Sequence, residues 1–130
     1  VSQNKPKQSV TVDLQSFRVK PTHYTLRHYS SANQEALRNW DLMGSVDGQA
    51  WKVLKSHRND AKLSQKGQAA TWELPKAARK DFYQQFRIQM TGKNSNNTHY
   101  LACSGFELFG SVMKNDVRVK RPDRSGVAVV

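Results

Sequence analysis

Cysteine is almost absent from this chain. Cys103 stands alone, which excludes an internal disulfide and a cysteine-built zinc site. A single thiol fits a reducing compartment. Long apolar runs are missing too, and none approaches the roughly 18 residues that a membrane-crossing helix needs. No Gly-x-Ser-x-Gly elbow, phosphate-cradling glycine loop or paired-carboxylate segment occurs. No reaction centre is therefore legible, the domain reads as non-enzymatic, and no cofactor is expected. His23, His28, His57 and His99 lack short helical spacing and acidic companions, so they read as ordinary strand and loop histidines. Asp60 and Asp81 sit in polar segments without acidic neighbours, which gives no support to a calcium loop.

Acidic residues are also scarce, 10 against 21 Lys and Arg, for a net charge of +11. Position decides what that means. Residues 1–20 carry +3, residues 113–130 another +3, and the central 21–112 only +5. More than half of the excess lies in the ends, which argues against a dedicated nucleic-acid groove in the middle. The start, Val1-Ser-Gln-Asn-Lys-Pro-Lys7, is not a secretory leader and carries no initiator methionine. The expectation is a segment of a longer protein.

What is present is a series of short alternating stretches. Val10, Val12 and Leu14 share one face of a period-two pattern. Pro21 introduces a second strand, Thr22 to Tyr29, with Tyr24, Leu26 and His28 on one face, before a polar loop over 30–35. Trp40, Leu42 and Val46 alternate next, with Gly44 keeping phase, and Asp47-Gly48 is the dipeptide of a tight hairpin turn. Trp51 through Val53 to His57 forms the return strand. The polar 59–68 segment has room for one helical turn anchored by Leu63. Ala70, Trp72 and Leu74 form a further strand, a charged connection over 76–81 follows, and Phe86, Ile88 and Met90 alternate in the next. After a polar loop over 92–98, Phe106, Leu108 and Val112 make the last. About seven short strands without a long helix predict an all-β, antiparallel β-sandwich. Trp40, Trp51 and Trp72 all fall on inward phases and are read as core, each able to bury about 150–250 Å².

The order of these motifs resembles the discoidin family, also called factor V/VIII type C or galactose-binding-like domains. The resemblance is carried by Val12-Asp-Leu14, Pro21-Thr-His-Tyr-Thr-Leu-Arg-His28, Leu37-Arg-Asn-Trp40, Gly44-Ser-Val-Asp-Gly-Gln-Ala-Trp51, Ala70-Thr-Trp72 and Phe86-Arg-Ile88. Thr91-Gly-Lys-Asn94 and Leu101-Ala-Cys-Ser-Gly-Phe-Glu-Leu-Phe-Gly110 complete it. It is nearest to the intracellular copies in HECT-type E3 ubiquitin ligases and BTB-domain proteins. It implies an eight-stranded jelly roll whose loops at one end bind the ligand, here short of some N-terminal strands. The implied organisation is a linker or truncated start over 1–8, the sandwich over 9–112 and a basic linker over 113–130. The implied location is intracellular, in the cytoplasm.

The candidate ligand-binding residues are Lys93, Asn94, His99 and Tyr100, with Arg38 and Asn39 on the neighbouring loop. They combine cations, amides and amphipathic rings, the mixture that adaptable contact surfaces use. Arg38 reads either as a guanidinium fork for a partner's carboxylate or as a structural arginine bonded to loop carbonyls. Asn94 and His99 read either as contacts or as internal loop ties. The expected function is a non-catalytic module that recognises a protein or peptide within a ubiquitin-ligase-type protein. Carbohydrate binding, through Tyr29 or Tyr100, is the first alternative. Nucleic-acid or anionic-surface binding through the terminal cations is the second.

Overall fold

The computed structural model describes residues 6–28, 35–114 and 127–129. Among them the strands are β1 (Ser9–Asp13), β2 (Phe17–Arg27), β3 (Trp40–Ser45), β4 (Lys52–His57), β5 (Ala69–Glu73), β6 (Gln85–Met90), β7 (Gly105–Lys114) and β8 (Val127–Val129). They form two antiparallel four-stranded sheets, in the orders β1-β6-β3-β4 and β5-β2-β7-β8. This is the all-β antiparallel sandwich that the alternation predicts, and the jelly roll that the resemblance implies. β6 shows why most plainly: Phe86, Ile88 and Met90 are buried between the sheets, while Gln85, Arg87 and Gln89 lie between them on the other face.

Two bulges displace the alternation. In β2 the register against β7 shifts between Pro21 and His23. The inward set changes there from Val19 and Pro21 to Tyr24, Leu26 and His28. Proline has no amide hydrogen for a ladder, and a bulge is where a sheet tolerates it. Pro21 thus lies within β2, which starts at Phe17, instead of introducing the strand. The residue opposite is Gly110, where an added Cβ would lie 2.0 Å from the Lys20 carbonyl oxygen.

The second bulge corrects the reading of the hairpin. Leu42 faces Lys55 and Met43 faces Val53, so Leu54 is the extra residue. Leu54 is buried, whereas Val53 is 47% exposed. Trp51, expected in the core, is only half-buried, with the Arg87 guanidinium 4.0 Å from its ring centroid. Val46, beyond the end of β3, is likewise exposed. The connection is wider than a two-residue turn, since the last pair is Gly44 with Lys52. Gly48 has the expected positive φ of 77°. The Asp47 carboxylate organises the loop by accepting from the amides of Ala50 and Gln49, which hold its pKa below the usual range.

Smaller differences follow from local bonding. The 59–68 segment contains turns and no helix, because the Gln68 side chain takes the amides of Ser64 and Gln65. Leu63 is fully buried as expected. The charged connection forms a single 3-10 turn, Lys76–Arg79, after Pro75. Residues 113–130, expected to be a linker, contribute the end of β7, and Val127–Val129 pairs as an edge strand with Glu107–Phe109. The expected loop over 30–35 and residues 115–126 of that linker fall largely or wholly outside the described residues, as does Tyr29.

Trp40→Ala removes a fully buried indole and is expected to cost about 3–5 kcal/mol. Trp51→Ala on the outer face is expected to cost less than about 1 kcal/mol. Urea unfolding of both variants checks the order, and a larger loss at Trp51 contradicts its placement. Gly110→Ala is expected to lower the melting temperature more than Trp51→Ala does.

Candidate functional site

Three connections, 28–39, 58–68 and 91–104, cross from one sheet to the other at the same end of the sandwich. All six candidate residues lie in them. What holds this end together begins in the core beneath it.

The Trp40 indole N–H donates to the Tyr24 hydroxyl at 3.0 Å, and that hydroxyl lies 2.5 Å from Nε2 of His57. Nδ1 of His57 lies 2.8 Å from Oδ2 of Asp60, which also accepts the Trp72 indole N–H at 2.9 Å. The Trp40 and His57 rings stack with centroids 4.0 Å apart. Neutral His57 with its hydrogen on Nδ1 satisfies every member: Tyr24 donates to Nε2 and His57 donates to Asp60. A second proton on His57 would leave the Tyr24 hydroxyl hydrogen without this acceptor. Burial lowers the His57 pKa against the pull of Asp60 and raises that of Tyr24 well above the usual range. Burial also pushes the Asp60 carboxyl upward, but the hydrogen bonds from His57, the Lys62 amide and Trp72 outweigh it and hold it below the usual range. Asp60 thereby fastens the 58–68 loop to the core.

The loops are also tied to one another. The Asn39 amide donates to the Lys93 carbonyl at 3.0 Å, and its oxygen accepts from the Asn59 amide at 3.0 Å. One side chain therefore joins all three loops. Arg38 donates through Nη1 to the carbonyls of Leu37 and Leu63. Ala36 and Ser95 bond reciprocally, the Ala36 amide to Oγ and the Ser95 amide to the Ala36 carbonyl. Asn94 is buried; its Oδ1 accepts from the amides of Asn96 and Thr98 and its Nδ2 donates to the Tyr100 carbonyl.

The structure thus brings Arg38, Asn39, Lys93 and Asn94 together, with His99 and Tyr100 further along the same loop. Of the two readings of Arg38 and Asn94, the geometry matches the internal one, and Asn39 acts in the same way. Lys93 is exposed, and His99 and Tyr100 are half-buried. Exposed Arg58, Asn59 and Lys62, absent from the sequence-based set, share this rim. Arg58 donates to Thr91 Oγ1 at 3.1 Å and to Asp41 at 3.2 Å. The polar composition of 58–68 was the available signal, but nothing local shows that Asn39 places it beside Lys93.

Beside the rim, a cleft of about 400 Å³ separates β1 and β6 from the approach to β7. Val10, Val12, Phe86, Ile88, Leu101 and Phe106 give it an apolar wall. Cys103 at its edge is half-buried, and burial raises its thiol pKa, the opposite of what a nucleophile needs. Among the described residues no three His, Cys, Asp or Glu side chains group as a metal site. No helix among them is long and apolar enough to cross a membrane.

Solved structures share the fold of this sandwich. A family 32 carbohydrate-binding module of Clostridium perfringens, solved with GalNAc-β-1,3-galactose, superposes with a TM-score of 0.61 at 14% identity, over 80% of this chain and 66% of that one. The family 32 module of Streptococcus pneumoniae EndoD gives 0.59 at 15%, over 83% and 73%. The chain belongs to the Sad1 / UNC-like C-terminal family, whose model matches residues 1–112. It is 45% identical over 104 residues to E3 ubiquitin-protein ligase hecd-1 of Caenorhabditis elegans, and 46% over 95 residues to E3 ubiquitin-protein ligase Ufd4 of Drosophila melanogaster. These alignments cover 79% and 72% of this chain but only 4% of each ligase. A BTB/POZ domain-containing protein of Arabidopsis thaliana is 31% identical over 90 residues, covering 68% of this chain and 11% of that protein. These are the two kinds of protein that the motif order resembles.

Stability is expected to fall on acidification in two stages. His57 is depressed, so below its unfolded pKa of about 6.5 the unfolded chain binds a proton that the folded chain refuses, and stability drops. The depressed Asp60 adds a second loss below about pH 4, where the unfolded carboxyl protonates first. Urea unfolding from pH 7.5 to 3.5 checks this; His57→Gln is expected to flatten the first stage, and an unchanged first stage excludes His57 as its source. Asn94→Ala is expected to speed amide exchange at 95–100 while leaving β6 protected. Equal acceleration in both contradicts a purely local role.

Proposed function

We propose that this module captures a protein or peptide partner on the three-loop rim, within a larger intracellular protein of the ubiquitin-ligase type. The carrying observation is the division of labour at the rim. Arg38, Asn39 and Asn94 spend their polar groups on neighbouring loops or on their own, fixing the backbone, and so act as positioning residues. Lys93 and the half-buried Tyr100 remain at the surface to meet a partner, alongside Arg58 and Asn59, with half-buried His99 next to Tyr100 in the same loop. A rim fixed before binding loses little conformational freedom when a partner arrives.

The ligase setting rests on the two E3 relatives, in which the matching region is a small part of a much longer chain. Nothing in this module transfers ubiquitin; its role there would be to hold a substrate or adaptor. A carbohydrate is less well served. Sugar binding favours an exposed ring beside hydrogen-bonding groups, whereas Trp40 and Trp72 are buried and Trp51, at the opposite end, carries Arg87 on its ring.

Selection of a displayed random peptide library on the 130-residue chain tests the proposal. Recovered peptides are expected to bind Lys93→Ala, Tyr100→Ala protein at least fivefold more weakly, an effect of about 1 kcal/mol, and to bind Lys80→Ala protein normally. Peptides indifferent to the rim substitutions place recognition elsewhere. A glycan-array signal lost in Tyr100→Ala, with no peptide recovered, makes the ligand a sugar.

A further inference from the structure

Among the described residues, the rim is the more positive end of the sandwich. The three loops contain five cations, Arg38, Arg58, Lys62, Lys66 and Lys93, against two acids, Glu35 and Asp60. The described connections at the opposite end, 14–16, 46–51 and 74–84, contain three cations, Lys76, Arg79 and Lys80, against Asp47 and Asp81. The rim's net +3 is therefore most of the +5 carried by residues 21–112.

The Asp60 carboxylate is bonded inward to His57 and Trp72, and among the described residues no rim lysine forms an ion pair with it. Lys62 and Lys93 are exposed and form no ion pair among the described residues. Arg58 has Asp41 as partner, yet its side chain remains 56% exposed. The Asn39 bridge between the Lys93 carbonyl and the Asn59 amide sets the Lys93 and Arg58–Asn59 backbones side by side. At the opposite end Arg79 is paired with Glu73 at 2.8 Å.

We infer that the rim's partner is an acidic peptide segment whose carboxylates meet Lys93, Lys62 and Arg58. This rests on the rim being the binding surface. Several carboxylates along a flexible chain can meet cations carried by different loops. Exposed Asn59, Asn96 and Asn97 supply amides that suit a peptide backbone. Single-stranded nucleic acid would match the charge but gains much of its affinity from stacking on open rings, and the rim rings, His99 and Tyr100, are half-buried. Steering by such a charge cluster acts chiefly on association rate and weakens with salt.

The test is fluorescence anisotropy of the 130-residue chain with a short labelled peptide of Asp, Glu and Ser, a matched peptide of Lys, Arg and Ser, and a labelled oligo-dT. The acidic peptide is expected to bind, and to weaken about tenfold or more for Lys62→Glu, Lys93→Glu protein. Lys93→Arg is expected to retain binding, and Lys76→Glu, Lys80→Glu protein to change it less than about twofold. Melting curves that match wild type establish that the variants fold. The inference is overturned if the far-end pair weakens binding equally, which makes the charge effect diffuse. Tighter, rim-dependent binding of oligo-dT overturns it in favour of nucleic acid. Library peptides that need the rim but carry no excess of Asp or Glu overturn the acidic partner alone, whereas loss of rim dependence overturns both readings.

Discussion

The hydrogen-bonded group of Tyr24, Trp40, His57, Asp60 and Trp72 is the constraint on which the molecule depends. Tyr24 and Trp72 come from one sheet, Trp40 and His57 from the other, and Asp60 from a rim loop. A core of aliphatic side chains alone would hold the sheets together without fixing their relative position. Directional bonds between polar-tipped rings add that specification, because sliding either sheet would orphan a buried donor or acceptor at about 1–3 kcal/mol each. The arrangement is complete only with a neutral histidine and an ionised aspartate, so one protonation pattern and one packing support each other.

Much of the fold was legible because period-two alternation reports which face of a strand is buried. It succeeded at β5 and β6, where Trp72 and Leu74, then Phe86, Ile88 and Met90, point inward without interruption. It failed at β4, because a bulge shifts phase by one residue and no local signal marks where. The inward phase expected at Trp51 therefore does not hold, and the buried residue is Leu54. The network itself was invisible for a related reason. Tyr24 and His57 are 33 residues apart, and each reads alone as an ordinary strand residue. β8 escaped notice because three residues in a basic tail are too short to show a period.

The proposed rim was legible in place more than in role. Polar loops rich in asparagine do mark the rim, but asparagine serves as readily inside a loop as toward a partner. Asn39 and Asn94 satisfy loop amides and carbonyls that would otherwise seek water, which makes an irregular backbone as definite as a strand. The groups that can recognise something are those left over after this internal bonding is complete. Lys93 belongs to that remainder, and Arg38 has little left to offer.

The same economy links the core to the surface field. Were Asp60 at the surface, it would neutralise a neighbouring lysine and the loop end would resemble the rest of a mildly basic domain. Held by His57, Trp72 and the Lys62 amide, it supports the core and is largely withheld from solvent, and the neighbouring Lys62 forms no ion pair with it. The absence of an ion pair between Asp60 and the rim lysines, among the described residues, is thus a consequence of how the interior is satisfied. A substitution that freed the Asp60 carboxylate would weaken the junction between sheets and let it pair with a rim lysine. Stability and the pairing state of the rim lysines at this end consequently share one residue, and the exposed cations above it, Arg58, Lys62 and Lys93, are the groups proposed to touch a partner.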